Sequence, residues 1–211
     1  MLFRSICPGG LAPGAHLVQE QIASRLGVSR QPVIQAFALL KTDGLLREEG
    51  ARGLFVTPLD REATRARYDI RRALDELAAR RAAEQARRSP ETAGAIARDG
   101  RALCENAAHA IARSDTRELV RLDIAFHRFV YDVSGNPLIA QTAEPHWRFL
   151  RRVMSDVLRD VAPQTIWTQH KAILDSIVAG HTEEAALLAG RHVLEAAERL
   201  PGVFGGAEAG R

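Results

Sequence analysis

Asp123 and His127 stand four residues apart in a stretch whose apolar stripe is Leu119, Leu122, Phe126 and Phe129. At about 100° per residue, the carboxylate and the imidazole project side by side from one edge of that stripe. His170 lies within a second stripe of Ile166, Ile173, Leu174 and Ile177, and His192 within a third of Ala185, Leu188, Ala189 and Ala196. If the three faces meet in one core, three imidazoles and a carboxylate converge. An unpaired carboxylate in a core is expensive, and a divalent cation removes that expense while satisfying the imidazoles. Three nitrogens and one oxygen suit Zn²⁺, Ni²⁺, Mn²⁺ or Fe²⁺, with positions left for water or an anion. The plainer alternative makes each histidine a satisfied core residue, with Asp123 and His127 hydrogen-bonded along their helix. His16 and His181 fall in or beside turns, and His146, next to Trp147, is open as a cavity-lining residue.

A second set of residues lies at 27–37, Gly-Val-Ser-Arg-Gln-Pro-Val-Ile-Gln-Ala-Phe. Gly27 permits a tight turn after a short amphipathic helix. Ser29 is placed to cap the next helix, and Pro32 falls in its first turn, where a missing N–H costs nothing. The segment reads as the turn and second helix of a helix-turn-helix, with Arg30, Gln31 and Gln35 facing the major groove. Arginine can read guanine bidentately and glutamine can read adenine. Ser29, with Arg52 and Gly53 at the tip of a following wing, would touch phosphates or the minor groove.

Two textures position these sets. Up to about residue 60 the elements are short: helices at 19–26 and 29–42, then strands at 45–47 and 54–57 around the glycine-containing tip 48–53. Residues 2–7 read as the end of a helix and 8–14 as a turn. Beyond Asp60 the chain turns Ala-, Leu- and Arg-rich with helical period. Six helices are expected, at 61–88, 91–113, 115–134, 137–160, 164–180 and 183–199. Ser89-Pro90 and Asn136-Pro137 look like caps followed by proline at the first helical position, Thr182 is placed to cap the last helix, and Pro145 should kink the fourth. The expected fold is therefore mainly α: a winged helix-turn-helix over residues 1–60, an all-helical bundle over 61–200 and a flexible tail over 201–211.

The 211 residues carry 29 Lys and Arg against 26 Asp and Glu, a net charge of +3. Within the first sixty residues Arg4, Arg25, Arg30, Lys41, Arg47 and Arg52 nearly balance Glu20, Asp43, Glu48, Glu49 and Asp60, so DNA binding rests on pattern and not on bulk charge. Cys7 and Cys104 lack both metal spacing and the number for a disulfide framework. The start, MLFRSICPGG, has no signal-peptide core, and no apolar run approaches the roughly 18–20 residues of a membrane span, so a cytoplasmic protein is expected.

These residues together resemble the GntR family of transcription regulators, in its FadR-like subgroup with a C-terminal FCD ligand-binding domain. The first signature is Leu11-Ala12-Pro13-Gly14, Leu17, Ile22-Ala23 and Leu26-Gly27-Val28-Ser29-Arg30, continuing through Pro32-Val33, Leu39-Leu40, Gly44-Leu45 and Gly53-Leu54-Phe55-Val56. The second is Arg71-x-x-Leu74-Asp75, similar to the family's R-x-x-L-E, then Asp123-x-x-Phe126-His127, Ser134-Gly135-Asn136, His170 with Ile173, and Ala186 with His192. The resemblance implies that Asp123, His127, His170 and His192 bind metal, that Arg71 faces the effector cavity and that Asn136 lies near it. A capping role for Asn136 and a plain surface charge at Arg71 are the alternatives. The recognition helix departs from the family's Pro-Val-Arg-Glu-Ala-Leu, with Ile34 in place of the groove-reading arginine and Gln31 in place of a common threonine.

The expectation is a homodimeric regulator that reads an inverted repeat in double-stranded DNA and is controlled by a small carboxylate, with Arg71 and the metal's open positions both favouring an anion. A metal-dependent hydrolase is the competing class, because an Asp/His₃ site can activate water. No HExxH-like general base or nucleophile motif accompanies it. A pure metal-ion sensor is the third reading.

Overall fold

The computed structural model describes residues 14–50, 53–157 and 162–199. The expected leading helix, wing-tip Arg52, the last turn expected of the fourth bundle helix and the tail lie outside these residues.

The N-terminal head consists of β1 (His16–Leu17), α1 (Gln19–Leu26), α2 (Arg30–Thr42), β2 (Leu46–Glu48) and β3 (Leu54–Val56). β3 is the middle strand of an antiparallel sheet ordered β1-β3-β2, with Phe55 opposite His16 on one side and Arg47 on the other. Strand β1 has two residues, too short for any alternation to announce it. Gly27 ends α1 with φ +65°, a left-handed conformation that glycine adopts at no steric cost. Ser29 holds the expected position before α2 in extended conformation, but its hydroxyl makes no capping hydrogen bond. Val33, Phe37 and Leu40 of α2 are buried with Leu17, Leu45, Leu46 and Val56. The same cluster takes in Tyr68, Phe149, Leu150 and Val193 from the bundle, so head and bundle share one core at their junction.

The bundle comprises α3 (Arg61–Arg88), α4 (Pro90–Ala112), α5 (Thr116–Val133), α6 (Pro137–Val157), α7 (Pro163–Val178) and α8 (Thr182–Glu198). Four of these begin on a side-chain cap that accepts a backbone N–H: Asp60 from Ala63 at 2.6 Å, Ser89 from Thr92 at 3.0 Å, Asp115 from Glu118 at 3.0 Å and Asn136 from Leu138 at 3.1 Å. The cap expected from Thr182 does not form. His181 precedes α8 without capping it and instead pairs with Glu184 at 3.0 Å. Helix α3 is central and touches every other helix of the bundle. Its Ala78, Ala79, Ala82 and Ala83 are fully buried, which lets its neighbours approach closely. Pro145 lies within α6. Among the described residues no helix is long and apolar enough to cross a membrane.

Candidate metal and effector centre

Asp123 and His127 on α5, His170 on α7 and His192 on α8 are all buried, and each offers a ligand atom within 4.8 Å of the others. His170 Nε2 lies 3.5 Å from Asp123 Oδ1 and 3.3 Å from His192 Nε2, and His127 Nε2 lies 4.0 Å from Asp123 Oδ2. Ligands held at about 2.0–2.2 Å from one ion stand roughly 3–4 Å apart, so the spacing suits a divalent ion once the four side chains close in and Arg71 Nη2 leaves His127 Nε2. Asp123 Oδ2 is buried without a hydrogen-bond partner, the kind of group that a cation satisfies. Burial pushes the Asp123 carboxyl above its usual range, against the pull of His127 and Arg71. Burial, reinforced by neighbouring imidazoles and Arg71, pushes His170 and His192 well below the ordinary histidine value. Both are therefore neutral near pH 7, the form that donates to a metal.

Arg71, on α3, is buried at the edge of this group. Its Nη2 donates to His127 Nε2 at 2.8 Å, and its guanidinium lies 4.2 Å from the Trp147 ring centre. The surface-charge alternative for Arg71 thus gives way to a buried position in the centre. A small cavity of about 20 Å³ opens here, lined by Tyr68, Arg71, Asp123, Met154, Ile166 and His192 among others. Asn136 is not among its lining residues, and its side chain caps α6. His146 likewise does not line it.

The sequence reading missed the groups behind the candidate ligands. Asp75 Oδ2 lies 3.0 Å from His127 Nδ1 and 3.5 Å from Arg71 Nε, and Asp75 Oδ1 accepts from the Tyr131 hydroxyl. Burial pushes the Asp75 carboxyl up, but His127, Arg71 and Tyr131 outweigh it and hold it below the usual range. Trp147 Nε1 donates to the Tyr131 hydroxyl at 3.3 Å. Gln169 Oε1 lies 2.9 Å from His192 Nδ1. One signal was available: Asp75 follows Arg71 by four positions on the same helix face.

At the other end of the molecule Ser29, Arg30, Gln31 and Gln35 are all exposed along the start and one side of α2. Ile34, 40% exposed, sits among them as an apolar side chain turned to solvent. Gly53 has φ +101°, and a side chain there would meet the His16 ring 2.8 Å away, so its identity has a conformational reason of its own.

Residues 1–56 match the bacterial regulatory proteins of the gntR family, and residues 66–195 match the FCD domain. The chain belongs to the GntR family and carries an FCD domain. It is a transcriptional regulator of that type. It is 28% identical over 202 residues to the uncharacterized HTH-type transcriptional regulator YdhC of Bacillus subtilis (strain 168), covering 92% of this chain and 83% of that one. It is 30% identical over 177 residues to an HTH-type transcriptional regulator of Streptomyces ambofaciens, covering 81% and 69%. Among solved structures, E. coli McbR/YncC superposes with a TM-score of 0.80 at 19% identity, over 96% of this chain and 94% of that one, a likeness of fold. A GntR regulator from Rhodococcus sp. RHA1 reaches 0.72 at 25% identity, over 96% and 95%.

Proposed function

We infer that this regulator reads an inverted repeat through Arg30, Gln31 and Gln35, and that a small carboxylate bound in the bundle controls its affinity for DNA. The observation that carries the control is the buried cluster of Asp123, His127, His170 and His192, whose ligand atoms lie within 4.8 Å of one another, with Arg71 beside it. A divalent ion held by those four residues would supply a Lewis-acid anchor for one carboxylate oxygen. Arg71 would donate to the other. Ser29, together with Arg52 and Gly53 of the wing, would hold the phosphate backbone.

The size of the cavity supports coupling. About 20 Å³ admits roughly one water, so a carboxylate enters only if lining side chains move. Helix α6 lies in the way of that movement. Its Trp147 packs 5.2 Å from His127, while the next residue, Arg148, holds buried Asp43 at the end of α2 through contacts of 2.6 and 2.8 Å. Arg67 of α3 adds a hydrogen bond to the Asp43 carbonyl at 3.1 Å and lies over Phe149 of α6. A displacement at Trp147 therefore bears on the head, and a ligand with different affinity for the two arrangements shifts DNA binding.

Reading an inverted repeat takes two copies. Exposed Ile70 and Leu77 of α3 and exposed Leu187 and Leu194 of α8 support a homodimer. The two helices run antiparallel, because Gly190 backs onto Glu76 while Arg80 pairs with Glu183. Each pair is seven residues apart, so all four side chains lie on one outer side. This arrangement suits a two-fold contact with a second copy.

The test is calorimetric titration of the full chain with Zn²⁺, Ni²⁺ and Mn²⁺. Binding to selected inverted-repeat DNA is then measured with a panel of two- to six-carbon carboxylates, with and without chelator. A DNA affinity that responds to no carboxylate in either state removes effector control. A response to metal alone favours a metal sensor. Leu77→Glu with Leu187→Glu should give a monomer by sedimentation, and an unchanged dimer would place the contact elsewhere.

A further inference from the structure

Hydrogen-bond logic decides two tautomers in the centre. A guanidinium only donates. Arg71 Nη2 lies 2.8 Å from His127 Nε2, so that nitrogen carries the lone pair. His127 Nδ1 then carries the proton and faces Asp75 Oδ2 at 3.0 Å, an ion-pair distance. The same reasoning holds at His192. Gln169 Nε2 donates to Glu195 Oε2 at 2.5 Å, which turns Gln169 Oε1 toward His192 Nδ1 at 2.9 Å. An amide oxygen only accepts, so Nδ1 of His192 donates and its Nε2 keeps the lone pair. His170 is held differently. Its Nδ1 has no hydrogen-bond partner, and its ring is fixed by packing on Phe126, with centroids 4.3 Å apart, and against Trp167 at 4.8 Å.

We propose that Asp75 and Gln169 are positioning residues that present Nε2 of His127 and of His192 to the metal and thereby set the affinity of the centre. The proposal rests on the metal reading above. An acceptor behind a ligating imidazole fixes its tautomer and ring orientation and makes it a better donor. Asp75 also holds Arg71 through Nε at 3.5 Å, so one carboxylate orients both a ligand and the arginine assigned to the carboxylate effector. Asp75 is itself held by the Tyr131 hydroxyl. A charged acceptor enriches the imidazole more than a neutral one, so Asp75 should matter more than Gln169.

Two measurements on the full chain test this. The first is the ¹⁵N spectrum of the histidine rings in the unaltered, metal-free protein at neutral pH. His127 and His192 are expected as Nδ1–H tautomers. Nε2–H tautomers at both would overturn the positioning role, whatever the metal does and whether or not any variant folds. The second is competition for Zn²⁺ against a chromogenic chelator. Asp75→Asn should bind about 10–100-fold more weakly, Gln169→Leu should lose less, and Asp75→Glu should recover part of the loss. Unchanged Zn²⁺ affinity in an Asp75→Asn protein with native circular dichroism would overturn the proposal. A wild-type chain that takes up neither Zn²⁺, Ni²⁺ nor Mn²⁺ would instead overturn the metal reading, while the ring spectrum still judged Asp75 and Gln169 on their own.

Discussion

Arg30, Gln31 and Gln35 of the head and Asp123, His127, His170 and His192 of the bundle are all polar, but the fold treats them in opposite ways. The head turns its polar residues to solvent, where water satisfies them at no cost and their conformations stay free. The bundle buries its own, where each donor and acceptor needs a fixed partner or loses stability. An exposed set can meet a large surface such as a DNA groove and adapt to it. A buried set can hold only something small, and holds it in one geometry. The difference also separates what a mutation does: on the head it should change recognition alone, in the bundle both binding and stability.

The sharpest break of that separation is His170→Ala. Losing one of the four proposed ligands should weaken Zn²⁺ uptake by at least the roughly 10–100-fold expected for a residue behind a ligand. Affinity of the metal-free protein for DNA should stay the same, as read by titration and by fluorescence anisotropy. Next comes Arg30→Ala, which should cost about 10–100-fold in affinity for a selected operator while Zn²⁺ uptake is unchanged. Unchanged operator binding would take Arg30 off the reading surface.

Arg148→Ala should sit between the two classes. It leaves buried Asp43 without its closest ion pair, 2.6 Å away, and should lower stability by about 1–3 kcal/mol in urea melts. It should also flatten the response of DNA affinity to a bound carboxylate. A full response in the variant would route the coupling elsewhere.

Acid should affect the bundle through its histidines. Burial holds His170 and His192 well below 6.5, so below that pH the unfolded chain takes up protons that the folded chain refuses. Stability of the metal-free protein should therefore fall as pH drops from 7 toward 5.5. Asp123, whose carboxyl is raised, works the other way over the window from 3.8 up to its folded value. A melting temperature that rises over pH 7 to 5.5 would contradict the buried, neutral rings. The smallest effect belongs to Arg80→Ala. Its ion pair with Glu183 is exposed and screened by solvent, so its loss should leave the urea midpoint almost unmoved and alter neither metal nor DNA binding.

Much of this architecture is legible in the chain. The six long helices follow from an apolar period sustained over many turns, and their starts from Ser89, Asn136 and the prolines that follow them. The cluster of Asp123, His127, His170 and His192 is legible because His170 and His192 sit inside apolar stripes, where an imidazole needs a reason. Strand β1 is not, since two residues show no pattern and its pairing with β3 is non-local. Ser29 stands at the cap position of α2 without making the bond, whereas Thr182 falls one place too late, inside α8, and leaves the cap position to His181. Asp75 and Gln169 were hidden for another reason. Asp75 shows only as part of the Arg71-x-x-Leu74-Asp75 signature and Gln169 as an ordinary polar position, and only the packing of α3, α5, α7 and α8 puts them behind a ring nitrogen.

The two halves of α3 differ in what they allow. From Ala78 to Ala86 it is a seam of methyl groups locked against neighbours, with no slack to yield. From Tyr68 to Asp75 it carries bulky and charged side chains around the cavity, and Tyr68 belongs to the core shared with the head. A guest too large for the space it finds therefore presses, on the α3 side, on the wall that the DNA-reading part leans against.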